Sequence, residues 1–213
     1  MAAAERLINL EQRVKPILET ELQKVGLKLG AHAYLRAFKE NRELELWLQN
    51  NQRWQLFRTY PIAAASGQLG PKLMEGDRQV PEGFYQITNN QLNPASNYHL
   101  AMNIGYPNAY DRHHQRTGSF IMIHGSDVSI GCLAMTDPSI EEIYLIIQGS
   151  LANGQSHIPA HLFPFRMSSE RMQAAQKDPH YVFWKTLQPA YLAFEQQPQP
   201  PKVKIMDGVY EID

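Results

Sequence analysis

One cysteine, Cys132, is all that this 213-residue chain contains. A single thiol cannot close an internal disulfide, so cysteine usage fixes neither a disulfide framework nor a compartment. Long apolar runs are missing as well: no stretch approaches the ~20 residues that cross a bilayer. Excess charge of one sign is also absent. The 20 Lys and Arg stand against 21 Asp and Glu, for a formal net charge of −1. That removes the electrostatic case for nucleic acid or an anionic membrane as main partner. The opening stretch MAAAERLINLEQRVKPIL lacks the basic start and apolar core of a secretory signal. On composition alone the chain reads as cytoplasmic.

What is present is ordinary for a globular protein: 43% hydrophobic, 10% aromatic and 19% charged residues. The length suits one domain with a substantial core and a helical appendage. Residues 4–25 carry Leu7, Leu10, Val14, Leu18, Leu22 and Val25 at three- and four-residue steps, an amphipathic helix kinked or restarted at Pro16. From His32 the period changes to two. AYLRAF, ELELWL and RWQLFRTYPIA, separated by polar turns, predict an antiparallel meander, and GFYQI, YHLAMNI and SFIMIHG are further strands. Two long polar segments, 66–81 and 106–118, separate them, and loops of that length in a compact domain are often functional.

Asp137-Pro138 opens the clearest helix, with Asp137 as expected cap and Gly154 as its end. HIPAHLFPF then reads as an interrupted strand. Ser168–Gln176 and Tyr181–Phe194 read as helices, the second broken by Pro189. KVKIMDGVYEI closes the chain as an Asp-Gly hairpin. The fold class is therefore α+β: a mostly β core, one internal helix and terminal helices. Residues 1–30 form an N-terminal helical segment, 31–167 a strand-rich central domain, and 168–213 C-terminal helices and a hairpin packing on the core.

Chemistry concentrates in IMIHGSDVSIGCLAM, residues 121–135. Free cysteine is often a small buried hydrophobe. Here, however, His124 falls at a strand end, a glycine–serine loop follows, and Gly131 precedes Cys132, where a substrate carbonyl can approach the backbone. An imidazole beside a thiol raises its nucleophilicity, and amides at Gly131 and Cys132 are candidate oxyanion donors. The competing chemistry is a metal held by His113, His114, His124 and Cys132. Their spacing fits no common zinc pattern, so no metal is expected. His113 and His114 read as exposed loop residues. His32, His99, His157, His161 and His180 read as structural.

IHG…SIGC resembles the active-site motif of YkuD-type L,D-transpeptidases, and VPEGFYQI resembles that family's upstream Pro-x-Gly strand. The similarity is greater to the YafK-like branch, which includes a murein-lipoprotein amidase. It is carried by GPKLMEGDRQVPEGFY, NIGYPNAYDR, IMIHGSDVSIGCLAM and FPFRM, and runs from about Ala33 to about Val209.

The resemblance implies a YkuD-like β-sandwich and a metal-free, cofactor-free cysteine enzyme acting on peptidoglycan stem peptides. Cys132 would be the acylated nucleophile, His124 the general base, and Gly125 the carbonyl that orients its ring. Gly131 and Cys132 amides would bind the oxyanion, with Ser129 shaping the loop. Ile130 and Ala134 stand where most members carry a second histidine and an Asn or Arg, and the insert is shortened. Arg166 is the candidate for a compensating charge on the diaminopimelate carboxylate, or else a surface ion pair. Tyr106, Asn108, Arg112 and Lys72, with Asp77 and Asp111, are further candidates from the long loops; Lys72 and Asp77 equally suit a solvated face.

The resemblance leaves the outcome open between transpeptidation and amide hydrolysis that releases wall-bound lipoprotein. It also implies a periplasmic location in a Gram-negative envelope, against composition. The rival reading is a non-catalytic peptidoglycan-binding scaffold that keeps the fold.

Overall fold

The computed structural model describes residues 3–213. In chain order the elements are α1 (Ala3–Arg13), α2 (Lys15–Lys24), β1 (Ala33–Phe38), β2 (Glu43–Asn50), β3 (Arg53–Pro61), β4 (Ala64–Ala65), β5 (Gly83–Ile87), β6 (Leu92–Asn93) and β7 (Ala101–Asn103). There follow α3 (Ala109–His113), β8 (Met122–His124), β9 (Leu133–Ala134), α4 (Asp137–Ala152), β10 (Ile158–Phe163), α5 (Ser169–Ala174), α6 (Tyr181–Gln196), β11 (Val203–Met206) and β12 (Val209–Ile212).

Ten strands form two five-stranded sheets, ordered β3-β2-β1-β10-β5 and β4-β9-β8-β7-β6. Most pairs are antiparallel; β1 with β10 and β8 with β9 run parallel. Alternation along β1 explains how both faces of the first sheet are covered. Ala33, Leu35 and Ala37 face a core shared with Met102, Ile123 and Leu133 of the second sheet and with Ile140, Ile143 and Ile147 of α4. Leu10, Leu18 and Leu22 of the N-terminal helices enter the same core. Phe38, together with Phe84 and Phe163, faces the other way, onto Trp184, Leu187 and Tyr191 of α6 and Tyr210 of the terminal hairpin.

Most predicted elements form where the patterning places them. The hairpin turn holds Asp207 and Gly208 at φ 49° and 74°, as a two-residue loop of this chirality requires. Two expectations need correction. Pro189 lies inside a continuous α6 rather than ending it. Packing of Trp184, Leu187, Tyr191 and Phe194 on the first sheet holds both halves of the helix in line. Asp137 does not cap α4: Thr136 occupies the cap position at φ 68°. The Asp137 carboxylate instead accepts the Ser126 amide at 2.8 Å, which ties the segment after His124 to the start of the helix.

Both long segments are pinned. Lys39 Nζ donates to the carbonyls of Gly70 (2.7 Å) and Val80 (2.9 Å) and to Glu82 (2.9 Å). Glu82, fully buried, also accepts the Gly70 amide and the Trp184 indole, both at 2.7 Å. In the second segment buried Asp111 pairs with Arg116 at 2.9 Å and accepts from Tyr85 at 3.0 Å. Among the described residues no helix is long and apolar enough to cross a membrane.

Candidate active site

The site is built on the parallel pair β8–β9. His124 lies opposite Ala134 and Ile123 opposite Leu133. Continuing that register sets Met122 beside Cys132, and the Met122 amide donates to Cys132 Sγ at 3.4 Å. Residues 122 and 124 share a face of β8 because strand side chains alternate. Cys132 and His124 therefore project to the same side, one diagonal step apart. Both line one cavity of about 380 Å³, with Ser96, Tyr98, Phe120, Met122, Val128, Ser129 and Ile130.

The histidine ring is fixed. His124 is 3% exposed, and its Nδ1 lies 2.6 Å from the Gly125 carbonyl oxygen. A carbonyl only accepts, so Nδ1 carries the proton and Nε2 presents a lone pair. Tyr98 packs on the ring, 4.8 Å between centroids. Gly125 has no room for a side chain: a Cβ there would lie 2.6 Å from Asp137 Oδ1 and 2.8 Å from the Tyr98 carbonyl.

The electrostatics set a neutral resting pair. Burial lowers the His124 pKa below the ordinary imidazole value, with the Gly125 hydrogen bond opposing. Burial raises that of Cys132, opposed by the Met122 amide and by the positive charge of Lys72. Near neutral pH the cavity holds a thiol and an unprotonated imidazole.

The expected oxyanion donors are already engaged. The Gly131 amide donates to Ser66 Oγ at 2.6 Å, and Ser66 in turn donates to the Arg78 carbonyl at 2.7 Å. The Cys132 amide donates to Ser129 Oγ at 3.0 Å, while the Ser129 hydroxyl donates to the Cys132 carbonyl at 2.7 Å. Ser129 thus bridges both backbone groups of Cys132, and a free pair of backbone donors is not what the structure presents. Gly131 adopts φ 82°, where a side chain would be strained.

The loop candidates separate into two groups. Lys72 is nearby: its charge acts on Cys132, and its Nζ is held by Asp77 at 2.6 Å and by the Met74 carbonyl at 2.9 Å. Tyr106 supports it from behind, its hydroxyl lying 3.2 Å from the carbonyls of both Lys72 and Thr117.

Arg166, Asn108 and Arg112 are not brought to the cavity. Arg166 is bound to Glu43 and Glu45, each at 2.8 Å, and stacks over Phe38 on the first sheet. A buried carboxylate at Glu45 and an aromatic face hold it there, so it is a structural ion pair. Asn108 caps α3 through the Asp111 amide at 2.9 Å and donates to the Phe84 carbonyl at 2.8 Å. Arg112 donates to the Pro107 carbonyl on the exposed end of α3.

Sequence reasoning missed Tyr98, Ser66 and Phe120. None sits in a spacing pattern with Cys132. Only β4 pairing with β9, Ala65 opposite Leu133, brings Ser66 to the Gly131 amide. Among the described residues no group of three His, Cys, Asp or Glu is placed to hold a metal ion.

The family model YkuD, described as the L,D-transpeptidase catalytic domain, matches residues 33–182. The Escherichia coli K12 protein named "Putative L,D-transpeptidase YafK" is 44% identical over 184 residues, covering 86% of this chain and 75% of that protein. The same figures hold for its counterpart in Escherichia coli O157:H7.

Among solved structures, the helical cell shape determining protein Pgp2 of Campylobacter jejuni aligns with a TM-score of 0.51 and 17% identity, covering 89% of this chain and 80% of that one. A point mutant of Pgp2 aligns with the same TM-score, 0.51, at 19% identity, covering 83% of this chain; the chain spans 63% of that mutant's length. At such identities the structures testify to the fold alone. The domain match and the 44% relative go further: this chain belongs to the YkuD family of L,D-transpeptidase catalytic domains.

Proposed function

We propose that the protein is a cysteine acyl-transfer enzyme that attacks the L-centre carbonyl of meso-diaminopimelate in peptidoglycan. Family membership supports peptidoglycan as the substrate class. One observation carries the mechanism: His124, locked as the Nδ1–H tautomer by the Gly125 carbonyl at 2.6 Å, lines the same cavity as the only thiol.

His124 Nε2 takes the Cys132 S–H proton while sulfur bonds to the carbonyl carbon. The carbonyl π electrons move to oxygen. They return as the C–N bond breaks, and the leaving nitrogen takes the proton from the imidazolium. A thioester remains on Cys132. Water, or a second amine, then gives a proton to His124 and bonds to the same carbon. The C–S bond breaks and the thiolate recovers that proton.

Oxyanion stabilisation requires amides now bonded to serine hydroxyls. Gly131 N–H serves once the substrate oxygen takes the place of Ser66 Oγ, which keeps its partner at the Arg78 carbonyl. Ser66 thus marks where the carbonyl oxygen goes.

Hydrolysis of the thioester makes the protein an amidase that frees lipoprotein from the wall, and aminolysis makes it a transpeptidase. Either outcome places the chain's work in the periplasm. The test is incubation of wild type and Cys132→Ala with sacculi that carry bound lipoprotein, followed by mass spectrometry of muropeptides. Freed lipoprotein identifies the amidase, and new diaminopimelate–diaminopimelate links identify the transpeptidase. Equal activity of the Cys132→Ala variant refutes the mechanism, and no change in the sacculi with wild type favours the scaffold reading.

A further inference from the structure

A second cavity, of about 720 Å³, shares no lining residue with the one that holds Cys132. It lies between β5 and β10 of the first sheet, the start of α3 and the run into β11. Its volume suits a small ligand. Strand register builds one wall: Phe84 stands opposite His161 and Gln86 opposite Pro159, and alternate residues share a face. Its charge is one-sided. Arg112 and Lys202 line it, and no aspartate or glutamate does. Among the described residues Arg112 donates only to the Pro107 carbonyl, and Lys202 Nζ has no hydrogen bond or ion pair. The Asp213 carboxylate feels the Lys202 charge but is held by Lys204, at 2.6 Å.

His161 adds a buried donor. It is 3% exposed, and burial, with the charge of Arg36, holds its pKa down at about 3, so the ring is neutral. Its Nδ1 lies 2.8 Å from the hydroxyl of fully buried Tyr34, which has no other partner among the described residues. The Tyr34 O–H therefore donates to Nδ1, because the reverse arrangement leaves that proton without an acceptor in the core. The ring proton then sits on Nε2. Nε2–H has no acceptor among the described residues, yet the one buried side-chain atom sealed away without a partner is Arg36 Nε. The His161 donor accordingly opens onto the cavity that the ring lines.

Two cations and an unspent N–H, with no acid among them, call for an anion. The apolar side chains between them call for one carried on an organic body. Phe84 and Tyr85 are both buried, so neither aromatic ring here offers an open face on which a sugar could stack. We propose that this cavity is a second, non-catalytic peptide site that holds a peptidoglycan stem peptide by a free carboxylate, with Arg112, Lys202 and His161 Nε2–H as its donors. The demand for a carboxylate comes from the cavity; the stem peptide as its source rests on the proposed function. One stem peptide bound here anchors the protein to the wall while Cys132 acts on another.

The test is calorimetric titration of the full chain carrying Cys132→Ala, which prevents turnover, with the tripeptide L-alanyl-γ-D-glutamyl-meso-diaminopimelate. Three further probes are its fully amidated form, L-alanyl-L-glutamyl-L-lysine and inorganic phosphate. The tripeptide is expected to bind saturably, and each of the other three more weakly by about 10-fold or more. Arg112→Gln with Lys202→Gln, in the same background, is expected to weaken the tripeptide by about 10-fold or more, the scale of losing charge-assisted hydrogen bonds. Both side chains are exposed, so an unchanged melting temperature is expected and shows that the variant is folded.

No saturable binding of the tripeptide overturns the inference. So does binding that the double substitution leaves unmoved, the result expected if the tripeptide enters only the thiol cavity. Equal binding of the amidated form or of phosphate overturns the carboxylate, and equal binding of the all-L peptide overturns the stem peptide as its source. None of these outcomes touches the thioester chemistry, whose own failure is read from sacculi that wild type leaves unchanged.

Discussion

The Nδ1–H of His124 points at the carbonyl oxygen of its own neighbour, Gly125, 2.6 Å away. In the proposed mechanism that contact takes the place of the carboxylate of a serine-protease triad, without adding a charge. A neutral acceptor fixes the tautomer but leaves the ring unassisted against burial, so its pKa falls.

The pH dependence follows from this. In the proposed mechanism the base works as neutral imidazole, so activity is expected to be lost as pH falls through the His124 pKa. The acid limb of kcat/KM is expected below about pH 6.5, the ordinary imidazole value. Alkylation of Cys132 by iodoacetamide is expected to reach half its maximal rate above about pH 8.5, because burial raises the thiol. An alkylation midpoint well below neutrality would instead mean a resting thiolate–imidazolium pair.

Gly125→Ala tests the orienting carbonyl. The added methyl meets Asp137 and the Tyr98 carbonyl at under 3.0 Å, so the Gly125 peptide must shift. A displacement of this order next to the base costs roughly 10²-fold in kcat. Alkylation of Cys132 reports the thiol separately, and is expected to persist.

Lys72→Met removes the positive charge that holds the Cys132 pKa down and leaves Asp77 unpaired. Both changes act in one direction. The alkylation profile of the variant is expected to move to higher pH, and an unchanged profile would remove Lys72 from the account.

Arg166→Ala separates structure from catalysis. Its partner Glu45 is buried and keeps Arg36 at 3.4 Å and the Trp47 indole at 2.9 Å. Arg166 itself is partly exposed, so its ion pairs are screened, and the loss is expected to be about 1 kcal/mol of stability in denaturant unfolding. kcat/KM is expected to stay at the wild-type value. A large rise in KM with normal stability would return Arg166 to the substrate.

Much of this was legible in one dimension. Period-two patterning marks β1 and β2, because alternate residues must face a shared core, and the Asp-Gly pair marks the terminal hairpin. His124 and Cys132 stand out in local context because β8 and β9 are close in sequence, whereas the role expected of Gly125 comes from the family resemblance alone. What was not legible depends on pairing between distant segments. Ser66 reaches the Gly131 amide only through β4 and β9. Arg166 looks free until β1 and β2 bring Glu43 and Glu45 beside it. Pro189 breaks a helix by local rules, yet the packing of α6 on the first sheet keeps it continuous. Phe120 carries no pattern at all; its exposure and left-handed backbone exist only in three dimensions.

The central claim is a thioester on Cys132, and intact-mass spectrometry tests it most directly. The protein is mixed briefly with a diaminopimelate-containing muropeptide amide, quenched in acid and weighed, and the modified peptide is mapped. The account expects an adduct equal to the acyl part, on Cys132, cleaved by hydroxylamine and absent from the Cys132→Ala variant. Turnover of the amide with no such adduct under any quench time, or turnover undiminished in Cys132→Ala, would contradict it.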